Sequence, residues 1–336
     1  MKTLYIFTRD LRTYDNKTFI EASKSSSLLA PIFIFTPQQV TSNSYKSDNA
    51  VQFMISSLKE LNGDLKNALS LFYGETNSIV DRLIKRQKFT SIYMTKDYTP
   101  FAVKREEQLE KLCKKHDVTL HLVEDYVLHK PGTILTGGGT AYQKYTPYYR
   151  SALKVDPDKP TKAKLPKFLK LKADYDFKKA EKLYKVNPDI NMKGGRSNGL
   201  KLLTELKEQK NYSTTRNDLE KQTTNLSAYI KFGNVSIREV YWKTRELFNK
   251  NHPLIAQLIW HDFYYQIGVA FPHVIGASLK EKYDKIVWSS DKSTLKAWKE
   301  GKTGYPIVDA GMRELNATGF MHNRVRMITA GFLCKH

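Results

Sequence analysis

The feature that most constrains this chain is a change of hydrophobic period partway along it. Up to about residue 124, short apolar runs alternate with amphipathic stretches of helical spacing. From Gly195 onward the strand signal is gone and helical spacing continues to the end. Thr3–Phe7, Leu28–Phe35, Leu69–Tyr73, Ser91–Met94 and Thr119–Leu122 are rich in Ile, Leu, Val and aromatic residues and read as buried strands. Between them, Met54, Leu58, Leu61 and Leu65 recur at spacings of four, three and four, which puts them on one helical face. Ile79, Val80, Leu83 and Ile84 do the same behind the cap candidates Asn77 and Ser78. Val103, Leu109, Leu112 and Cys113 repeat the pattern. This alternation predicts an α/β unit, a Rossmann-like parallel sheet with helices on both faces.

The expected division is residues 1–124 for the sheet domain, 125–190 for a linker and 191–336 for a helical domain. A chain of 336 residues exceeds what one core usually organises, which agrees with two domains. In the linker, Gly137–Gly139 form a turn, and Pro157, Pro160, Pro166 and Pro188 punctuate a lysine-rich stretch with no sustained period. It is expected to drape over the surface. Helical patterns then cover Gly195–Gln209, Asn225–Lys231, Ile237–Asn249 and an aromatic-rich segment around Gln257–Gly268, with two more after Trp288, the last being Asn323–Lys335. The chain ends without a Gly, Asn or Pro stop signal, so a truncated or split gene product is one expectation and a frayed terminal helix the other.

Charge narrows the partners. Lys plus Arg number 55 against 34 Asp plus Glu, a formal charge of +21. Such an excess attracts polyanions, with DNA, RNA and anionic membranes as candidates, or it reflects a solvated lysine surface. The two cysteines, Cys113 and Cys334, make neither a disulfide framework nor a paired metal motif. Met1–Phe7 is followed at once by Arg9, Asp10 and Arg12, unlike a signal peptide, and no apolar run is long enough to span a bilayer. The expectation is a protein of the cytoplasm or another reducing, DNA-containing compartment, not secreted and not in a membrane.

Several motifs fail their own chemistry. Gly301-Lys302-Thr303 looks like the end of a phosphate-binding Walker loop, but Lys296 stands where its first glycine belongs. Gly137–Gly139 lacks the spaced third glycine of a dinucleotide fingerprint. The eight histidines show no metal-binding spacing, so no metal site is expected.

Four clusters hold more interest together than apart. Thr8–Arg12 with Asp15-Asn16 directly follows the first strand. Thr223–Ala228 bunches three hydroxyls at an apparent helix start, where they serve either as caps or as a phosphate cradle. Gln257–Tyr265 carries aromatics and polar groups that either pack a core or stack a flat ligand. Trp298–Leu315, followed by Met321–Met327, forms a polar-loaded helix pair with Pro306 suited to a first helical turn.

In this order, these segments resemble the photolyase/cryptochrome family, in particular its class I cyclobutane pyrimidine dimer photolyases, along essentially the whole chain. Thr303–Leu315 matches the family's most specific signature and Asn323–Lys335 the start of the next; Phe7–Asn16, Tyr142–Tyr148 and Thr223–Ala228 fall in place before them. The resemblance implies an α/β antenna domain and a helical domain holding FAD non-covalently. It implies light-driven repair of cyclobutane dimers in DNA, in which reduced, excited flavin supplies the electron and the protein supplies geometry and a dry pocket. The damaged bases must leave the stack to reach it.

Carried over residue by residue, the resemblance makes Tyr212, Thr223, Thr224, Asn225, Leu226 and Ser227 contacts for FAD. It makes Gln257, Trp260, Tyr264, Asn323 and Met327 walls of the dimer pocket, and Trp288 the outermost tryptophan of an electron-transfer chain. Arg216 and Arg324 become partners for DNA phosphates, with Gln257, Trp260, His261, Tyr264 and Asn323 also on the DNA side. Departures stand beside these. Gln257 replaces a common glutamate, His261 and Asn225 replace arginines, and Phe101 and Ala102 replace polar groups of folate-using members, so a second antenna chromophore is expected without an identity. Asn323 and Met327 stand where enzymes for (6-4) lesions place histidines, which favours cyclobutane dimers.

Relatives of the family continue well past the position of Lys335, into residues that contact the flavin ring and the two inner tryptophans. The corresponding expectations are a C-terminally truncated chain that holds FAD weakly and performs no repair alone, or one half of a split enzyme completed by a second polypeptide. A cryptochrome-type blue-light photoreceptor and a non-catalytic DNA-binding remnant are the alternatives.

Overall fold

The computed structural model describes residues 1–336. Five strands, β1 (Lys2–Phe7), β2 (Leu28–Phe35), β3 (Ser70–Tyr73), β4 (Ser91–Thr95) and β5 (Thr119–Val123), form one sheet in the order β3-β2-β1-β4-β5, every pair parallel. The crossovers are α1 (Lys17–Ser25), the short α2 (Pro37–Val40), α3 (Asp48–Asp64), α4 (Thr76–Gln87) and α5 (Pro100–Lys115). Strand alternation divides the core in two. Tyr5, Phe7, Phe33 and Phe35 point to the face covered by Phe19 of α1 and Ile55 and Leu58 of α3. Leu4, Ile6, Ile32 and Ile34 point to the face covered by Val80 and Leu83 of α4 and Leu109 of α5. Both faces are buried, which is why these strands read as continuous apolar runs.

The segment from 125 to 190 belongs to neither a free linker nor one domain. Its first part carries α6 (Tyr145–Ala152) and enters the helical core through Leu128, Ile134, Tyr148 and Ala152. Its second part returns to the sheet: Phe168 bridges Leu29 and Tyr175 bridges Leu71, before α7 (Phe177–Ala180). The prolines and lysines hid these single-bridge contacts, because a strand of one residue has no period to read.

The helical unit contains α8 (Arg196–Thr204), α9 (Tyr212–Thr215), α10 (Ser227–Lys231), α11 (Ile237–Leu247) and α12 (Pro253–Ala270), packed around Leu226, Tyr229, Val240, Leu258 and Phe263. Helix α11 starts on a capping box in which Ser236 and Glu239 satisfy each other's backbone. After α12 come α13 (Lys292–Glu300), α14 (Pro306–Thr318) and α15 (Asn323–Lys335), which pack on one another around Met312, Met321 and Val325.

Two local expectations change. Helix α10 begins at Ser227 rather than Asn225, because Asn225 takes the left-handed conformation at φ 53°. Helix α13 was missing from the sequence reading. Its Asp291 cap accepts from Ser293 N, and Gly301 ends it at φ 65°, so Gly301-Lys302-Thr303 is a helix stop. Asp309 fixes that stop, accepting from Thr303 N at 2.8 Å, from Thr303 Oγ1 at 2.6 Å and from Gly304 N at 2.9 Å.

Candidate cofactor site and nucleic-acid face

The site is built on α12. Four-residue spacing puts Gln257, His261 and Tyr265 on one face of this helix, and they line a cavity of about 350 Å³. The opposite wall is the loop before α10 with α10 itself: Thr224, Leu226, Ser227 and Lys231. Tyr212, Ile237, Val240 and Leu254 add to the walls, and Arg9 enters from the loop after β1. Both walls therefore mix apolar side chains with polar ones: Leu226 and Ile230 stand beside Thr224, Ser227 and Lys231 on one, and Leu254 and Leu258 beside Gln257, His261 and Tyr265 on the other.

The turn before α10 explains that chemistry. Asn225 in the left-handed region reverses the chain, so Thr223 and Asn225 border a neighbouring cleft while Thr224 and Ser227 face the main cavity. Helix α10 has only five residues, so this wall offers an anion its hydroxyls and Lys231 rather than a long helix dipole. Asn225 Oδ1 and His261 Nδ1 are enclosed without a hydrogen-bond partner. The nearest carboxylate oxygen to His261 Nδ1, on Asp262, is 3.7 Å away, too far to satisfy it. Unsatisfied polar atoms beside hydroxyls, two cations and apolar side chains fit a phosphate-bearing nucleotide with a flat ring system.

Of the residues singled out for cofactor and lesion, the structure brings Tyr212, Thr224, Leu226, Ser227, Gln257 and His261 around this cavity. His261 and Gln257 thus line the same cavity as Thr224 and Ser227. Trp260 lies on the adjoining face of α12, stacked on Tyr145 at 3.5 Å with 7° between the planes, and Tyr264 stacks beyond it at 5.6 Å. Arg216 and Arg324 converge near Tyr212, whose phenol is raised by burial against their opposing charges. Arg324 Nη2 donates to Asn217 Oδ1 at 2.6 Å, and Arg324 Nη1 reaches Met327 Sδ at 3.6 Å. Asn323 is exposed at the start of α15, and Met327, one turn on, is 59% exposed. Trp288 is 62% exposed in the segment before α13.

A second cavity, about 290 Å³, opens at the C-terminal ends of β1, β2 and β4. The chain builds outward on one side of β1 as β2 and β3 and then crosses to β4 and β5, so this is the sheet's topological switch point. Phe7, Phe33, Met54 and Phe101 give its apolar lining, and Arg9, Asp97 and Arg105 its charges. Ala102, buried, lines it beside Phe101. The sequence reading named Arg9 within its first cluster but gave no role to Arg9, Asp97, Arg105 or Lys231. For Arg9 and Asp97 the one available signal was position directly after a buried parallel strand; Arg105, inside α5, and Lys231, whose neighbours come from both domains, had none.

Comparison with known proteins agrees with this architecture. A family model described as DNA photolyase matches residues 3–167, and one described as the FAD binding domain of DNA photolyase matches residues 254–336. The deoxyribodipyrimidine photo-lyase of Halobacterium salinarum is 30% identical, covering 99% of this chain and 75% of its own length. An archaeal photolyase from Sulfolobus tokodaii, solved with two FAD molecules, superposes with a TM-score of 0.89 at 35% identity over 100% of this chain and 75% of that one. Cryptochrome-1 of Aedes aegypti is 27% identical over 98% of this chain and 69% of that protein.

Proposed function

This chain belongs to the DNA photolyase family, and on that premise we propose how its residues serve light-dependent repair of pyrimidine dimers in DNA with FAD as cofactor. The observation that carries the reading is the cavity between α12 and the loop before α10, in which apolar side chains alternate with hydroxyls and the two cations Arg9 and Lys231. When held there, reduced FAD would on blue-light excitation lend the lesion one electron and take it back after the cyclobutane ring has opened.

The chain's own residues bind and orient. Tyr212, Thr223, Thr224, Asn225, Leu226 and Ser227 hold the nucleotide, the hydroxyls and Lys231 meeting its phosphates. His261, facing the same cavity, adds a further donor there. Gln257 gives the lesion a neutral hydrogen bond, and Trp260, Tyr264, Asn323 and Met327 offer flat or apolar surface to flipped bases. Arg216 and Arg324 pair with DNA phosphates, a contact that releases counterions and weakens with salt. Trp288, exposed before α13, is the surface end of an electron path that the family's inner tryptophans would complete. The sheet-end cavity takes a second chromophore, and its apolar lining at Phe101 and Ala102 suits a planar ring better than a polar folate tail.

The same reading assigns residues 1–124 to the antenna domain, 125–190 to the connection and 191–336 to the FAD-binding, catalytic domain. Tyr305, Ile307, Ile328 and Leu333 form an exposed apolar flank on and beside α14 and α15. We read it as a face that further helices cover, on this or a second polypeptide. No helix is long and apolar enough to cross a membrane. Cys113 and Cys334 are both free thiols, and burial pushes Cys113 up to about 11, which accords with a reducing, DNA-containing compartment.

The test supplies reduced FAD in excess and measures repair under blue light on DNA carrying one cyclobutane dimer or one (6-4) lesion. With a polypeptide supplying the rest of the family's helical domain added, repair of the cyclobutane dimer alone is expected, and Gln257→Leu should weaken binding of dimer-containing DNA about tenfold, more than it weakens FAD binding. Repair of (6-4) lesions alone, or equal affinity for damaged and intact DNA, overturns the reading.

A further inference from the structure

The two cavities share part of their walls. Arg9 and Lys231 line both the sheet-end cavity and the helical cavity. Arg9 physically spans the division: its Nη2 lies 2.9 Å from Asp97 Oδ2 on the sheet side and donates to Tyr265 Oη at 2.8 Å on the helical side. Its guanidinium rests over the Tyr126 ring at 4.4 Å, and its Nε is enclosed without a partner. The group is therefore fixed by both domains and keeps a donor unspent.

Lys231 is the complement. It ends α10, borders a third cleft beside Asn225 and Arg326, and forms no ion pair. Lys231 is exposed where the cavities open, although protein atoms surround its ammonium within a wider radius. Burial, and then the charge of Arg9, push its ammonium below the usual lysine range, with Asp97 opposing only in part. Asp97 is already engaged by Arg9. The partition thus holds two cations against one carboxylate. A surplus cation in a confined, partly desolvated wall is stabilised most by an anion that enters the cavity.

We infer that Arg9 and Lys231 form one cationic partition that acts as common counter-charge for phosphate-bearing ligands in both cavities, so that the two cofactor sites are electrostatically one system. The inference rests on the proposal that FAD occupies the helical cavity and a second chromophore the sheet-end cavity, and it deepens that proposal by taking the second chromophore as a flavin nucleotide too and naming what couples the two. A residue facing one cavity, such as Arg105 on the sheet side, affects one site. A residue in the partition affects both.

Equilibrium dialysis of the full chain with FAD, and separately with inorganic pyrophosphate, tests this. Two classes of FAD site are expected. Lys231→Gln should weaken both by about five- to twentyfold, Lys231→Arg should restore both, and Arg105→Gln should weaken one. Lys231 is water-accessible and unpaired, so Lys231→Gln should keep its melting profile, checked by circular dichroism. Lys231→Gln leaving either class of FAD site unchanged overturns the partition. Pyrophosphate separates this from the cofactor reading. Absence of FAD binding removes the flavin assignment; pyrophosphate binding at two sites that Lys231→Gln weakens together would still uphold the partition, and pyrophosphate binding indifferent to Lys231→Gln would overturn it.

Discussion

Asp262 shows how one buried carboxylate ties the catalytic helix to the rest of the chain. It accepts from Leu128 N and His129 N, both at 2.9 Å, and lies 3.1 Å from His129 Nδ1. His129 Nε2 meets Val155 O at 2.9 Å, so the ring is held at both ends. Burial alone would raise Asp262 and lower His129. The contact between them reverses both, leaving Asp262 below and His129 above their ordinary values. The signs set a pH window. The raised His129 contributes stability fully below the ordinary histidine value, and loses it as pH climbs through its folded value. The lowered Asp262 contributes above the ordinary aspartate value, and loses it as pH falls through its folded value. His129→Leu should therefore cost about 1–3 kcal/mol, most strongly between roughly pH 4 and 6.5, and less at pH 8. Urea midpoints at pH 5.5 and 8 check it, and an equal loss at both would mean that His129 is held neutral throughout.

At the scale of an element, the turn between α10 and α11 decides where the two domains touch. Gly233 stands there at φ 71°, and a Cβ on it would lie 2.2 Å from Arg9 O and 2.5 Å from Asp10 Cα. Leu11 N donates to Phe232 O at 3.1 Å, and Arg12 Nη1 to Gly233 O at 3.2 Å, so the approach is backbone against backbone. Neither partner can yield as a flexible side chain would. Gly233→Ala should cost about 2–4 kcal/mol from the left-handed backbone and the clash together. It should also loosen Arg9, which a rise in the flavin dissociation constant would register alongside the shifted denaturation midpoint. A variant that melts normally would show that the β1 loop can retreat. Trp260 illustrates the opposite case, an element whose faces serve different partners: Tyr145 of α6 covers it, while Gln257, three residues earlier, faces the cavity.

For the molecule as a whole, the domains are joined by a neutral ionic cluster sealed from water. Arg238 Nε lies 2.9 Å from Asp15 Oδ2, and Arg238 Nη2 lies 2.6 Å from Asp125 Oδ1. Arg12 pairs with the same Asp125, and Ser236 Oγ donates to Asp15 Oδ2 at 2.5 Å. All four charged side chains are essentially inaccessible. Burial by itself would raise Asp125, and the two guanidiniums hold it below the usual carboxylate range. Removing one partner leaves a buried charge uncompensated, so Arg238→Ala should cost about 3–5 kcal/mol and separate the unfolding of the sheet domain from that of the helical domain. Calorimetry that still shows one transition, with little change in midpoint, would assign the coupling to the apolar contacts instead.

What the amino-acid order determined is whatever a local period can encode. Leu28–Phe35 was legible to the residue as a strand, because a run buried on both faces has no polar interruption. The helix bearing Gln257, His261 and Tyr265 was legible as well, since four-residue spacing brings them to one face without help from the rest of the fold. Motif order made the family readable. Tertiary structure alone decided the rest. Trp260 meets Tyr145 across 115 residues of chain, a stack that no local period encodes. Arg12, Asp15, Asp125 and Arg238 are unremarkable charges in sequence and became a sealed cluster only when two domains closed over them. Lys231 looked like the last residue of a short helix, yet it stands where three cavities meet. The physical reason is common to all of these. Periodicity reports the environment of one element, whereas a cavity wall or an ion cluster is defined by separate elements whose distance in space has no counterpart along the chain.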